Sequence, residues 1–541
     1  MKKIISICLA LSLALSVSAC SGGGTGESKN QETKSENTGV SAEGATTGAE
    51  KTEEPAGEVK EGGTLNIYLA GDPSSLDYFR ERVNEDLGMY QRILTRDETG
   101  NFHGQLVESY EADKEKLTYT FHMWDKPIKF HDGSLLTSEV FAWNINQYKE
   151  MGYYASSFSR IDSAEAVDDS TFVIHMKEWD MFLPNYLARM CHIVSKEYID
   201  ANGWDALAET ECGTGPFTLG EWKRGEEIKT LKFADYWEGS PRLDGVNYVI
   251  YSSPEVAIMA LENGDLDIVD FQKISYSYLD QLKANDSLVI YDAYRGGYAY
   301  TLGFNCNKED EPLNNVKVRM AICSAIDVDA VANVLTEGYY YPGSHQWSVD
   351  GYVYCSDKVP GFEYNPEKSK ELLAEAGYPE GFSTTVKVQA AYEDAAVLVK
   401  EFLQQVGIEC EVESLDRANF DKYVGGWDSG MLIHTVGCAN GQEYQILNSA
   451  RSDVTNGYGS GSFIHSEELD RLCDEASNAV LEDSYEPVKK IAEIMFQEDV
   501  SMYTMAVSQG IVVASKDVKD AGICEDGSRS ILALDKAWLD R

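Results

Sequence analysis

Residues 117–148, LTYTFHMWDKPIKFHDGSLLTSEVFAWNINQY, constrain the fold more than any other stretch of the chain. Leu117, Tyr119, Phe121 and Met123 alternate with Thr118, Thr120 and His122. A period of two is the pattern of a half-buried strand, because successive side chains point to opposite faces. Pro127 interrupts the alternation, Ile128 and Phe130 resume it, and Asp132-Gly133 supplies a turn with positive φ. Thr137 then precedes Ser138 and Glu139. A hydroxyl ahead of an acid is a helix start, since the oxygen accepts from an orphan backbone N–H and the acid complements the helix dipole. Phe141, Ile145 and Tyr148 share one helical face. The run predicts strand, Asp-Gly turn and capped helix, which is α/β grammar with no catalytic constellation in it.

The same grammar continues through the chain, whose 541 residues are too many for one core and imply two or three domains. Residues 62–68 alternate as a strand, and the following loop holds Asp72 and Asp77 in turn and cap contexts. Residues 171–176 form another strand. Cys212-Gly213-Thr214-Gly215-Pro216-Phe217 makes a sharp crossing that few residues would tolerate, and no lysine follows where a phosphate loop needs one. Residues 246–250 are a strand, Ser253-Pro254-Glu255 opens a helix that ends at Gly264, and residues 266–269 are the next strand. Asn365-Pro366 opens a helix that stops at Gly377, another stops at Gly407, and Ile408, Cys410 and Val412 alternate as a strand. Residues 511–514 are an apolar strand near the end.

The first 61 residues read differently. Lys2 and Lys3 precede an apolar run, residues 4–17, that is too short to span a bilayer comfortably. Val17-Ser18-Ala19-Cys20 places small residues before a cysteine and resembles a bacterial lipoprotein signal, cleaved ahead of a lipidated Cys20. Residues 21–61 are Gly, Ser, Thr and Glu with almost no large apolar side chain, a composition that builds no core and serves as a leash. Two acyl chains on Cys20 would suffice for stable anchoring. An uncleaved anchor helix and plain secretion are the alternatives.

The formal net charge of −44 excludes a nucleic-acid partner, which needs basic patches, and argues against docking of a basic face on anionic lipid. Beyond Cys8 and Cys20, nine of the 11 cysteines remain, irregularly spaced and without C-x-x-C, so no disulfide framework is indicated.

Tyr119-Thr120-Phe121, Lys129-Phe130-His131-Asp132-Gly133 and Leu136-Thr137-Ser138-Glu139-Val140 resemble the signature of the extracytoplasmic solute-binding proteins of ABC importers, in the dipeptide and oligopeptide family, solute-binding family 5. The likeness is collinear from Gly62 to about Gly522, through Gly213-Thr214-Gly215-Pro216, Glu221-Trp222 and Leu302-Gly303-Phe304-Asn305. It implies an α/β, periplasmic-binding-protein type II-like fold, two large lobes joined by a hinge with an extra small domain in the first lobe. The expected segments are 1–19 signal peptide, 20–61 lipidated cysteine and linker, 62–107, 212–300 and 506–541 domain I, 108–211 domain II, and 301–505 domain III. It further implies a monomeric receptor on the outer face of the bacterial cell membrane, passing an oligopeptide to ABC permease subunits, with oligosaccharide or another small solute as the alternative ligand.

No H-E-x-x-H, G-x-S-x-G, Walker or EF-hand pattern is present, and no catalytic residue or cofactor is expected. A secreted hydrolase on a similar scaffold is the rival reading. His122 and His131 could approach across a hairpin, yet strand-end histidines are the plainer account and no metal site is expected. Aromatic side chains supply area for a solute, and Tyr298, Tyr300 and Trp347 are the candidates, with core packing as the alternative. By resemblance, the stretch holding Cys438, Asn440 and Glu443 lines the cleft. Peptide-binding relatives carry there an aspartate that pairs with the peptide ammonium, and the alignment puts Asn440 at that position. An amide supplies no charge, so the polar contact is weaker, unless Glu443 compensates.

Overall fold

The computed structural model describes residues 59–541 apart from 82, 84–85, 98–99, 252, 271–274, 295–296, 307, 425, 428, 438–445, 448, 453–465 and 524–531, and the sheets and bonds below are those of the described residues. Cys20 and residues 21–58 of its leash lie outside them.

Two large sheets and one smaller sheet organise the chain. The first has seven strands in the order Leu288–Tyr294, Gly510–Ser515, Ile268–Asp270, Thr64–Leu69, Gly245–Ile250, Glu227–Lys232 and Phe217–Lys223. Its centre is parallel, with Thr64–Leu69 between Ile268–Asp270 and Gly245–Ile250, and the helix Pro254–Asn263 makes the crossover. That helix ends where Gly264 turns to φ +81°. The second large sheet has five strands, Ile408–Leu415, Phe382–Gln389, Met431–Gly437, Tyr298–Phe304 and Met502–Val507.

The run that opened the sequence reading builds the four-stranded antiparallel sheet Val107–Asp113, Thr118–Met123, Thr171–Met176, Ile161–Asp168. Tyr119 and Phe121 are buried, as the alternation requires. Leu117 is not the first strand residue: it closes the preceding turn at φ +56°, its N–H donating to Lys114 O, so pairing begins at Thr118. Phe130 and Ser134 close the Asp132-Gly133 turn, with Gly133 at φ +87°. The helix Ser138–Met151 starts at Thr137, whose hydroxyl accepts from Val140 N–H, and it lays Phe141, Ile145 and Tyr148 on the sheet. Phe141, Phe172 and Phe121 stack in a column at 4.7 Å spacing, which supplies much of the apolar contact in this layer.

This signature also holds the crossing at 212–217. His131 Nδ1 donates to Glu211 Oε2 (2.5 Å) and His131 Nε2 faces Gly215 O (2.9 Å), while His131 N–H donates to Gly213 O. Both ring nitrogens therefore face oxygen atoms. Glu211 also accepts from Gly213 N–H, Thr218 Oγ1 and Leu219 N–H. Burial would raise its carboxyl, but the His131 bond and charge and the Thr218 and Gly213 donors hold it below its ordinary value. Asp132 behaves alike: burial is outweighed by hydrogen bonds from Ser134, Ser195 and the Cys212 thiol, and it too sits low. Gly213 and Gly215 are glycines because a Cβ would lie 2.2 Å from Met89 O and 2.3 Å from Gly88 O. Thr214 between them is buried and donates to Gln91 Oε1.

Candidate binding site at the crossover between the two large sheets

Among the described strands, the chain passes between the two large sheets twice. It leaves the first sheet after Tyr294 and joins the second at Tyr298; it leaves the second after Val507 and rejoins the first at Gly510. The two passages are neighbours. Leu288–Tyr294 pairs antiparallel with Gly510–Ser515 in one sheet, and Tyr298–Phe304 pairs with Met502–Val507 in the other. The junction is tied by Gly297 N–H to Ser508 O (2.8 Å), Ser508 N–H to Tyr298 O (3.0 Å) and Tyr298 N–H to Ser508 Oγ (3.0 Å). A two-stranded ribbon joining two sheets has fewer cross-strand bonds than either sheet, which is the geometry of a hinge.

Tyr298 stands at that junction with 47% of its surface exposed. Its Cα partner in the ladder is Gly437, the last residue of Met431–Gly437. Tyr298 and Gly437, some 140 residues apart in the chain, are thereby paired. Cys438, Asn440 and Glu443 themselves lie outside the described residues. Tyr300, two residues along the same strand, is 9% exposed and meets Tyr392 edge to face at 5.4 Å. Burial, then the neighbouring Tyr298, raises the Tyr392 hydroxyl above its ordinary value, while a bond with Thr435 pulls the other way. Tyr298, Tyr392 and Thr435 thus place three hydroxyl-bearing groups beside the end of the strand.

Trp347 is placed differently. It is 1% exposed, its Nε1–H donates to Thr301 Oγ1 (3.1 Å), and its ring meets Phe496 at 5.5 Å. In this arrangement it backs the strand that carries Tyr298 and Tyr300. Asp72 and Asp77 serve the backbone: Asp72 accepts from Trp222 Nε1 and Gly225 N–H, and Asp77 accepts from Phe79 and Arg80 N–H and pairs with Arg80. Sequence reasoning missed the tyrosines that brace the ribbon. Tyr339 O accepts from Gln509 N–H, Tyr276 Oη donates to Gln509 O, and the Tyr276 and Tyr339 rings lie 5.2 Å apart. The run Gly338-Tyr339-Tyr340-Tyr341 was the available signal.

Among the described residues no group of three or more His, Cys, Asp or Glu is placed to hold a metal, and no helix is long and apolar enough to cross a membrane. The seven described cysteines are free thiols, all buried except the partly exposed Cys355.

Two α/β bodies hinged by a two-stranded ribbon, the first with an added small sheet and the junction lined by an exposed tyrosine, define a two-lobed solute-binding protein. The chain belongs to the bacterial extracellular solute-binding proteins, family 5, whose middle region it matches over residues 101–458. It is 28% identical over 449 residues to the oligopeptide-binding protein AppA of Bacillus subtilis, covering 74% of this chain and 80% of that one. It is 25% identical over 446 residues to heme-binding protein A of Haemophilus influenzae, covering 76% and 80%. Among solved structures, the ABC transporter substrate-binding protein CtaP of Listeria monocytogenes superposes with a TM-score of 0.76 at 20% identity, over 89% of this chain and all of that one. AppA of B. subtilis in complex with a nonapeptide superposes with a TM-score of 0.65 at 24% identity, over 90% and 100%. The two-lobed architecture implied by the sequence is the one found.

Proposed function

We propose that this chain is a membrane-tethered receptor of an ABC importer, which captures an oligopeptide between its lobes at the crossover and delivers it to the permease. The observation that carries the reading is the ribbon itself: two adjacent passages between two rigid sheets, with Tyr298 exposed opposite Gly437. An enclosing cleft with apolar faces and a few polar groups is what a small solute needs, and hinge motion supplies the enclosure. In this reading Tyr298 shapes one wall with Tyr300 contributing from its inner edge, Cys438, Asn440 and Glu443 supply its polar edge, and Trp347 supports the wall from behind. Domains I, II and III correspond to the first large sheet, the small sheet and the second large sheet. Cys20 carries the lipid, and residues 21–61 let the monomeric body range above the membrane.

Kinship with an oligopeptide-binding protein supports peptide as the ligand class. A smaller or uncharged solute is the second reading, favoured by an amide at Asn440 and by relatives named for glutathione and heme.

The test is titration of the purified body with free-amine and N-acetylated peptides, with chromatography for products. Saturable one-to-one binding without cleavage is expected. In Asn440→Asp, affinity for free-amine peptides rises several-fold, since charge-assisted bonds are about twice as strong as neutral ones, and acetylated peptides gain little. Peptide hydrolysis would sink the receptor reading, and equal behaviour of both peptide classes in Asn440→Asp would retire the role of that residue.

A further inference from the structure

The lobes also meet away from the ribbon. The hairpin Leu94–Arg96 and Phe102–Gly104 leads directly into the small sheet of the first lobe. Arg96 is 1% exposed, and its Nε–H donates to Gly100 O across the hairpin turn (2.8 Å). Its guanidinium lies 4.8 Å from the Phe102 ring and 5.3 Å from the ring of Tyr352. Tyr352 sits in a segment fastened to the second lobe at both ends, by Trp347 to Thr301 and by Ser356 Oγ to Glu493 Oε1 (2.8 Å). Gly100 has φ +102°, and a Cβ there would come within 3.0 Å of the Tyr352 ring and 3.1 Å of Val353. Both its backbone conformation and the closeness of the other lobe therefore call for glycine.

Two further contacts extend this seam. Trp179 Nε1–H donates to Ala479 O (2.6 Å), and Tyr485 Oη donates to Asn101 Oδ1 (3.4 Å). Trp179 stacks on Tyr119 of the signature strand at 4.9 Å and 11°. Tyr485 is edge-on to Tyr354, which is fully buried. Trp179, Arg96 and Tyr352 are each under one-tenth exposed. The hairpin, Arg96 included, also borders a cavity of about 350 Å³ lined in part by Arg92, Trp124, Tyr236 and Leu534.

We propose that this seam is a closure lock: Arg96 stacked under Tyr352, together with the Trp179–Ala479 bond, holds the lobes together and sets how long a captured solute stays. The proposal rests on the reading of a receptor that closes on its solute. None of these side chains is placed at the crossover wall, so they act on the lobes and not on the ligand. Affinity in a two-state receptor scales with the fraction of molecules in the binding-competent arrangement, so contacts made only in that arrangement raise affinity without touching solute. Loss of such contacts is felt mainly as faster release.

The test uses the full chain with Tyr352→Leu, which keeps apolar bulk and removes the ring over Arg96, and with Trp179→Phe, which removes only the indole donor and enlargement of the ring. Small-angle scattering and the release rate of a fluorescent peptide pool are measured on each. Both variants are expected to show a larger radius of gyration, and Tyr352→Leu releases peptide about tenfold faster, the size expected for loss of one buried cation–π contact. Unchanged scattering and release in a folded Trp179→Phe and a folded Tyr352→Leu would overturn the lock. If Tyr352→Leu does not fold, Trp179→Phe decides alone. If the wild-type chain binds no peptide, the functional reading fails and the scattering arm still judges the seam. If it binds and the variants match it, the seam fails and the functional reading stands.

Discussion

A single imidazole, His131, links the signature of the small sheet to the crossing at 212–217. In the sequence, residues 129–133 read as a turn with a family likeness and no contact role. The partners of His131 lie 80 and 84 residues away, at Glu211 and Gly215, and no local periodicity points to them. Thr137, in contrast, was legible, because a cap is a local arrangement and its acceptor role follows from the next three residues. His131→Leu should destabilise the body by about 3–5 kcal/mol at neutral pH, since it leaves the Glu211 carboxylate buried without its cation. The pH dependence follows from the low carboxyl of Glu211. In the wild type its contribution is present above the ordinary glutamate range and is lost as pH falls through the depressed native value. In the variant, burial without a cation raises that carboxyl, so it takes up a proton earlier and relieves the strain. The difference between the two proteins, read from urea midpoints, should therefore shrink on acidification. A difference that is constant from neutral pH down to pH ~4 would show that the pair carries no charge.

At the scale of elements, strand and helix ends written in local chemistry were readable: Gly264 ends its helix in the left-handed region, and residues 510–515 do pair in the first sheet. Leu117 was misplaced by one position because its apolar side chain continues the alternation while its backbone already turns. The crossing at 212–217 was recognised as demanding glycine, but for backbone conformation alone. The cause at Gly213 and Gly215 is proximity: the 88–89 backbone runs against them, bonding Gly215 N–H to Met89 O and Phe217 N–H to Gly88 O. Such a constraint is invisible in one sequence, since the neighbour is over a hundred residues away. Gly213→Ala should cost more than about 3 kcal/mol, because the obstructing atom is backbone and cannot rotate aside. Gly71→Ala, where a Cβ meets nothing within 4 Å, should change stability by less than about 0.5 kcal/mol. Denaturant midpoints of the two variants check this, and equal midpoints would refute the proximity argument.

For the whole molecule, collinear short motifs identified the two-lobed architecture, although each motif alone was weak. Specificity was far less legible. Tyr298 and Gly437 are neighbours only through the strand register, and Trp347 was a loop aromatic by sequence yet is buried against Thr301. Exposure, which separates a wall residue from a supporting one, depends on packing that no single stretch encodes. The central claim is that the lobes close on a solute by bending at the paired passages beside Gly297 and Ser508. Small-angle scattering of the purified body, before and after saturation with a peptide it binds, tests this most directly. The account predicts a decrease in the radius of gyration that saturates with the binding curve and no peptide cleavage. Binding at full occupancy with an unchanged scattering profile, or cleavage of the added peptide, would contradict it.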